Sequence, residues 1–480
     1  MRYLRLVMVT SVAATALAIP ARAQPRGTAP AGAAIRIPYD FYTLPNGLKV
    51  VLAPNHTTPT AAVMVDYHVG SKNEVRGRKG FAHIFEHVMF TGSAHAPYGT
   101  YDRLTQGVGG GLPNGTTYHD ETIYYETIPS NYIESALWLE SDRMGFLLET
   151  LDSAKFVAQR DIVQNERRQN YDNAPYRRAP EIVAAAMYPA SHPYSWIPIG
   201  YMADLRQASM DDVRAFFRQY YLPSNATLAI SGDFDPAQAK QWVAKYFADL
   251  PRGKPIARPS VKPATLAKEK HLVFEDRVQV PRLYIGWPSV GSKANDTYAL
   301  NALGSILAPS RTSRLSKALI YERQSAALVY AGQQDHEDAG EFVIYVTPRQ
   351  GHTLTELEAA TDSIIERFKR EGPSADEMRR ALAGIEFGFV SGLESNLGKA
   401  VLLTSATTYF GDPGYYRTIY AKTKSVTAAD VKRVANRYLG KNRVVLSVVP
   451  LGKTDLAAKS AASIRVTAST TGGPYIMEPN

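Results

Sequence analysis

The chain repeats itself. "SMDDVRAFFRQYYLPSNATLAI", starting at Ser209, and "TAADVKRVANRYLGKNRVVLSV", starting at Thr427, align at a constant offset of 218 residues. Asp212-Val213 then meets Asp430-Val431, Tyr220 meets Tyr438, and Leu228 meets Leu446. Ser209 and Thr427 each precede an Asp by three residues, the pattern of a capped helix start. A β-branched run follows in both copies, so each predicts a helix feeding a strand. Nearer the front of each half stands "VGSK", at Val69–Lys72 and Val290–Lys293, an offset of 221. Two matched segments in one order, at nearly one spacing, predict a duplicated unit. A chain of 480 residues has room for two cores of ordinary size.

The Pro-rich stretch "PRGKPIARPSVKPATLAK" (251–268) reads as the linker between the copies. It divides an N-terminal domain, 37–250, from a homologous C-terminal domain, 269–455. Residues 24–36 read as a flexible lead-in and 456–480, rich in Ala, Ser, Thr and Gly, as a loose tail. "LKVVLAP", "AAVMVDYHV", "ETIYYETI", "ATLAISGD", "RLYIGWP" and "EFVIYVTP" predict strands. "IESALWLESDRMGFLL", "DVRAFFRQYY", "TELEAATDSIIERFKRE" and "SADEMRRALAGIEFGFVSGL" predict helices. The fold class is therefore α+β, with a sheet and packed helices in each half.

Arg2 and Arg5, the apolar "LVMVTSVAATALAI" and Ala21-Arg22-Ala23 make residues 1–23 a secretory signal peptide, cleaved before Gln24. The apolar run is shorter than the ~20 residues of a membrane span. There is no cysteine, so thiol catalysis and cysteine metal sites are excluded. A disulfide-free exported chain points to a bacterial periplasm. The formal charge of +9 falls to +6 once Arg2, Arg5 and Arg22 leave with the leader. The basic residues form no stripe interleaved with aromatics, which argues against nucleic-acid binding.

"GFAHIFEHVMFTG" (80–92) carries two of the ten histidines. Phe81, Ile84, Phe85 and Val88 fall on one face of a helix, and His83 and His87, four apart, share another. With Glu86 this is H-x-x-E-H, the inverse of the H-E-x-x-H zinc motif. Neutral imidazoles suit a borderline-soft dication such as Zn2+. The adjacent carboxylate can take a proton from water that zinc has acidified toward a pKa of ~7. A catalytic zinc needs a third protein ligand. Glu166, in "RDIVQNERRQNYDNAPY", is the best candidate, although spacing alone does not select it over Glu74, His95 or His119. "GGLPNGTTYHDETIYYET" sets a Gly-rich segment before alternating Thr and Tyr and reads as an accessible strand. Gly110, Gly111, Asn114 and Thr116 fall within it.

"GFAHIFEHVMFTGS", "GGGLPNGTTYHDETIYYETIP" and "RDIVQNERRQNYDN" together resemble the pitrilysin/insulysin family of inverzincin metallopeptidases, near its mitochondrial-processing-peptidase branch. The resemblance spans nearly the whole chain after the leader. It implies two homologous domains, each a mostly antiparallel sheet with helices on it, forming half of a clam. It implies one Zn2+ per chain held by His83, His87 and Glu166, with Glu86 as general base. It also implies that peptide adds as a strand beside the zinc, with Gly110, Gly111, Asn114 and Thr116 as candidate peptide-binding residues and Asn114 helping to position the substrate. An offset of 221 sets Gly304, Leu307 and Ala308 opposite His83, Glu86 and His87, so the second copy carries no metal site.

Two departures stand out. Gln159 occupies a place where the family often has a second-shell Glu. The family's Arg/Tyr pair, counted from Ser313-Arg314-Leu315, falls on Ile320 and Ala327, while Arg323 and Tyr330 keep the spacing three residues late. The expected function is therefore a zinc endopeptidase, acting on peptides or unfolded segments, that needs a homologous chain to supply the missing pair. A heterodimer or a homodimer would meet that need. The alternative is a non-catalytic peptide-binding or scaffold subunit on the same fold.

Overall fold

The computed structural model describes residues 35–258, 261–460 and 462–479. The predicted signal peptide and nearly all of the lead-in lie outside the described residues.

Thirteen strands form two sheets among the described residues. The first holds β1 (Asp40–Thr43), β2 (Lys49–Pro54), β3 (Thr60–Tyr67), β4 (Asn114–Thr117), β5 (Thr122–Pro129) and β6 (Ala226–Gly232), in the order β1-β2-β6-β3-β5-β4. The second holds β7 (Lys270–Asp276), β8 (Arg282–Val290), β9 (Ala326–Asp335), β10 (Ala339–Pro348), β11 (Val444–Pro450), β12 (Ser463–Thr467) and β13 (Ile476–Pro479), in the order β13-β12-β7-β11-β8-β10-β9. Five strands correspond one to one: β2-β6-β3-β5-β4 and β7-β11-β8-β10-β9. In each set the first pair is parallel and the rest antiparallel. The duplication read from the sequence is thus a duplication of topology. Both capped starts form: the Asp212 amide donates to Ser209 Oγ at 3.2 Å and the Asp430 amide to Thr427 Oγ1 at 3.1 Å.

Each sheet packs one face on helices of its own half. Val50, Leu52, Val63, Val65, Leu228 and Ile230 face a core shared with Phe85, Leu137, Val213 and Val243. The opposite faces are covered reciprocally. Ala400 and Leu403, on the Asn396–Phe410 helix of the second half, pack on Val51, Ala53, Met64 and Ala229 of the first sheet. Ile182 and Val183, on the Ala179–Met187 helix of the first half, pack on Leu272, Phe274, Leu446 and Val448 of the second. The two helices begin 217 residues apart, so they are copies of one element that have changed places. The 251–268 stretch carries no helix or strand in its described residues, yet the packing of the two halves runs across it.

The tail corrects an expectation. The described residues of 456–480 are not a loose end: Ser463–Thr467 pairs parallel with β7, and Ile476–Pro479 pairs antiparallel with Ser463–Thr467. The polar composition hides the period-two placement of Ile464 and Val466, and Val466 is buried.

Candidate active site

The H-x-x-E-H motif forms the Phe81–Val88 helix. Its apolar face is core as its spacing predicts: Phe81, Ile84, Phe85 and Val88 are buried, and Phe85 stacks on Phe216 and Tyr221. The helix starts at Gly80, whose φ of +98° suits glycine. The buried Glu74 carboxylate accepts from the Gly80 and Ala82 amides at 3.0 and 2.9 Å, and from Trp196 Nε1 at 2.9 Å. Glu74 therefore satisfies amides at the helix start and is not a member of the ligand cluster.

Glu166 comes from the Ser153–Arg167 helix, started by Asp152, whose side chain accepts from the Lys155 amide at 2.8 Å. The two helices pack so that three donor atoms converge. His83 Nε2 lies 3.6 Å and His87 Nε2 3.4 Å from Glu166 Oε2. Zinc bonds of roughly 2.0–2.1 Å in a tetrahedron place neighbouring ligand atoms roughly 3.3–3.4 Å apart. The three residues present thus fit a tetrahedral zinc with one position left open. His95 lies elsewhere, its Nδ1 2.5 Å from Asp142 Oδ1, and the His119 ring packs tilted against His336 with centroids 4.1 Å apart.

Electrostatics favour ligation. Burial, with His87 nearby, pushes His83 down to about 4, so its imidazole is neutral at pH 7. A hydrogen bond from His87 holds Glu166 below the ordinary carboxylate range. Burial raises Glu86, against a hydrogen bond from Thr117, whose Oγ1 donates to Glu86 Oε2 at 2.7 Å. Glu86 Oε2 stands 4.0 Å from His83 Nε2, beside the cluster and outside it.

Thr117 and Gly115 are functional positions that sequence reasoning missed. A Cβ on Gly115 would come 2.8 Å from Glu86 Cγ, so β4 passes directly over the motif carboxylate. The alternation of a strand could have flagged both, since Gly115 and Thr117 share a face that Asn114 and Thr116 do not. Asn114 is exposed, and Thr116 half-buried, at the terminal strand of the first sheet. Gly110 and Gly111 shape the approach to it, their amides donating to Thr105 O and Thr127 O at 2.9 and 2.7 Å. Gln159 sits two turns before Glu166 on the same helix and makes no hydrogen bond to the cluster among the described residues.

The second half lacks the site, but in another register. A Cβ on Gly304 would lie 3.0 Å from Gly332 Cα of β9, and by the strand registers Gly332 stands where Thr117, the partner of Glu86, stands on β4. That fixes the offset of this helix near 218 and sets Asn301, Gly304 and Ser305 opposite His83, Glu86 and His87; the helix of Glu166, capped by Asp152, matches the Ala375–Gly392 helix, capped by Ser374, which sets Gly388 opposite Glu166. Leu307 and Ala308, expected in those places, are fully buried core. A cavity of about 430 Å3 lies beside this helix, lined in part by Ser305, Ile306, Pro309, Gly384 and Ile385. Ile320 packs on the second core. Tyr330 stacks on Tyr345 at 4.7 Å, and Arg323 is exposed at the end of the Ser316–Glu322 π-helix.

Two copies of one α+β unit, with a His-His-Glu cluster in the first only, define a class of metallopeptidase fold. The pattern described as "Insulinase (Peptidase family M16)" matches residues 49–194, and "Peptidase M16 inactive domain" matches 207–385. The chain belongs to peptidase family M16. It is 28% identical over 410 residues to the "Zinc protease PqqE" of Helicobacter pylori, covering 83% of this chain and 90% of that protein. The solved structure of a protease from Helicobacter pylori superposes with a TM-score of 0.81 at 26% identity, over 86% of this chain and 100% of that one. The periplasmic protease PqqL from Escherichia coli shares the fold, with a TM-score of 0.70 at 18% identity; 89% of this chain matches 50% of that one.

Proposed function

We propose that the chain is a zinc-dependent endopeptidase of the periplasm that cleaves peptides or unfolded segments. The observation that carries this reading is the convergence of His83, His87 and Glu166 beside Glu86, under the outermost strand of a sheet. His83, His87 and Glu166 would hold the zinc, which supplies Lewis acidity and acidifies the water it binds. Among the described residues β4 pairs only with β5, so its other edge offers main-chain donors and acceptors to an extended peptide. Main-chain pairing tolerates varied side chains and lays the scissile bond over Glu86. Glu86, aimed by Thr117, takes the proton of the attacking water and returns it to the leaving amine. Asn114 and Thr116 line the strand's other face, and Gly110 and Gly111 keep its approach narrow.

The second chain remains part of the reading. Ile320 and Ala327 stand where the family pair is counted, and Tyr330 is engaged with Tyr345. A relative that spans two such halves in one polypeptide supports a two-part enzyme, here built from two chains. The leader at 1–23 supports export.

The test uses the protein without its leader, with zinc quantified, on a mixture of unstructured peptides, alone and with a homologous chain. Glu86→Gln is expected to keep one zinc and lose turnover; a Glu86→Gln protein with normal turnover overturns the base assignment. Full zinc occupancy with no cleavage under either condition would favour the peptide-binding scaffold.

A further inference from the structure

Glu166 is weakly anchored through its own side chain. Its carboxylate meets the two histidines and Asn170, and otherwise depends on where the end of its helix is held. Arg167, the next residue, holds that end. Its buried guanidinium donates to both Glu181 oxygens at 3.2 Å each, and to the Gly200 carbonyl. The helix changes to a π-turn, Arg168–Asp172, immediately afterwards.

Gly200 in turn lies against the start of the motif helix. A Cβ there would stand 2.3 Å from both the Gly80 amide nitrogen and the Lys79 carbonyl oxygen. One guanidinium thus sets the helix bearing Glu166 against the backbone on which the helix bearing His83 and His87 begins.

The third partner comes from the far end of the chain. Tyr475 Oη donates to Glu181 Oε2 at 2.7 Å. Tyr475 lies between β12 and β13, in the segment that adds to the second sheet. The same segment is pressed onto the first half: the Ala203 amide donates to Gly472 O at 3.0 Å, and a Cβ on Gly472 would lie 2.8 Å from Met202 Cβ. Glu181 is fully buried, and its two oxygens are engaged by Arg167 and Tyr475. A buried pair completed in this way fixes geometry, because losing any member leaves an uncompensated group.

We propose that Arg167, Glu181 and Tyr475 are positioning residues for the metal centre, through which the C-terminal strand pair holds Glu166 in register with His83 and His87. This rests on the zinc reading above. Supports of this kind set metal affinity as well as turnover.

The test uses the full chain without its leader. Zinc affinity is measured by competition with a chromogenic chelator, and the Co2+-substituted protein gives a visible spectrum that reports ligand geometry. Tyr475→Phe removes one hydroxyl, and Arg167→Lys keeps the charge but loses the fork. Tyr438→Phe is the control, since its hydroxyl donates to Asp296 at 2.8 Å on the second half. Tyr475→Phe is expected to weaken zinc about tenfold and alter the Co2+ bands. Tyr438→Phe should leave both unchanged even if the metal-free protein melts earlier. Should Arg167→Lys fail to fold, Tyr475→Phe carries the test. If Glu166→Gln weakens zinc while Tyr475→Phe binds within twofold of the parent and keeps its spectrum, the brace is refuted and the metal site stands. If Glu166→Gln leaves zinc binding unchanged, the ligand assignment fails and the brace falls with it.

Discussion

Gly115→Ala gives the sharpest test of the claim that β4 and Glu86 work as one unit. The new Cβ would stand 2.8 Å from Glu86 Cγ, and 3.2 and 3.3 Å from Tyr124 Cδ1 and Cε1. Comfortable carbon contacts are about 3.5–4.0 Å. Tyr124 is fully buried and cannot yield, so Glu86 must retreat by roughly 0.7–1.2 Å. That retreat pulls against the 2.7 Å bond from Thr117, which aims the carboxylate. A misplacement of about 1 Å costs up to about 100-fold in rate. The expected loss in kcat is therefore about 10- to 100-fold, or about 1.4–2.7 kcal/mol of barrier. The alanine touches neither histidine nor Glu166 and removes no main-chain group from the strand edge. Zinc content and KM should therefore stay near the parent values. The assay is steady-state cleavage of an unstructured fluorogenic peptide at verified zinc stoichiometry. A Gly115→Ala enzyme with kcat within twofold of the parent would refute the coupling.

Three further outcomes follow from the geometry. Leu403→Ala, on the helix that covers the first sheet from the second half, should cost about 2–5 kcal/mol in urea unfolding, because Leu403 is fully buried. Burial would raise Glu377, but hydrogen bonds from the Arg314 guanidinium and the Ser374 amide hold it down at about 2, against 4.5 ordinarily. A depressed carboxyl contributes stability above its unfolded value and loses it as pH falls through the folded one. Glu377→Gln should therefore flatten the acid side of the stability curve between about pH 4.5 and 2, as read by chemical denaturation. Chelation should lower the thermal midpoint and added zinc restore it, by about 2.7 kcal/mol at a free zinc 100-fold above its dissociation constant.

Local signals were legible and long-range ones were not. The motif helix, the capped starts at Ser209 and Thr427 and the named strands all follow from spacing within a few residues. Glu166 could not be chosen over Glu74 by spacing, because the two differ only in which helix end each reaches. Glu74 satisfies the amides at the start of the motif helix, whereas Glu166 faces its histidines across a helix pair. The register of the vacant second site was misread because "VGSK" and the following helix differ in offset by about one turn; only the crossing of Gly332 over Gly304 fixes it. Average composition concealed the strands at 463–467 and 476–479: the first pairs with β7 nearly two hundred residues away, and the second pairs with the first. The exchange of helices between halves leaves no local mark, since the apolar residues of a helix do not specify which sheet it will meet.

That exchange bears on how the chain comes to fold. When the first half emerges during synthesis, Val51, Met64 and Ala229 lack their covering helix until Leu403 has been made, more than 150 residues beyond the last strand of their sheet. The nascent first half is thus an unfinished layer, open to chaperones and to misassociation. A half made alone could close only by trading helices with a copy of itself. Joining the copies through 251–268 replaces that encounter with a tethered one, at an effective concentration that can reach about the millimolar range.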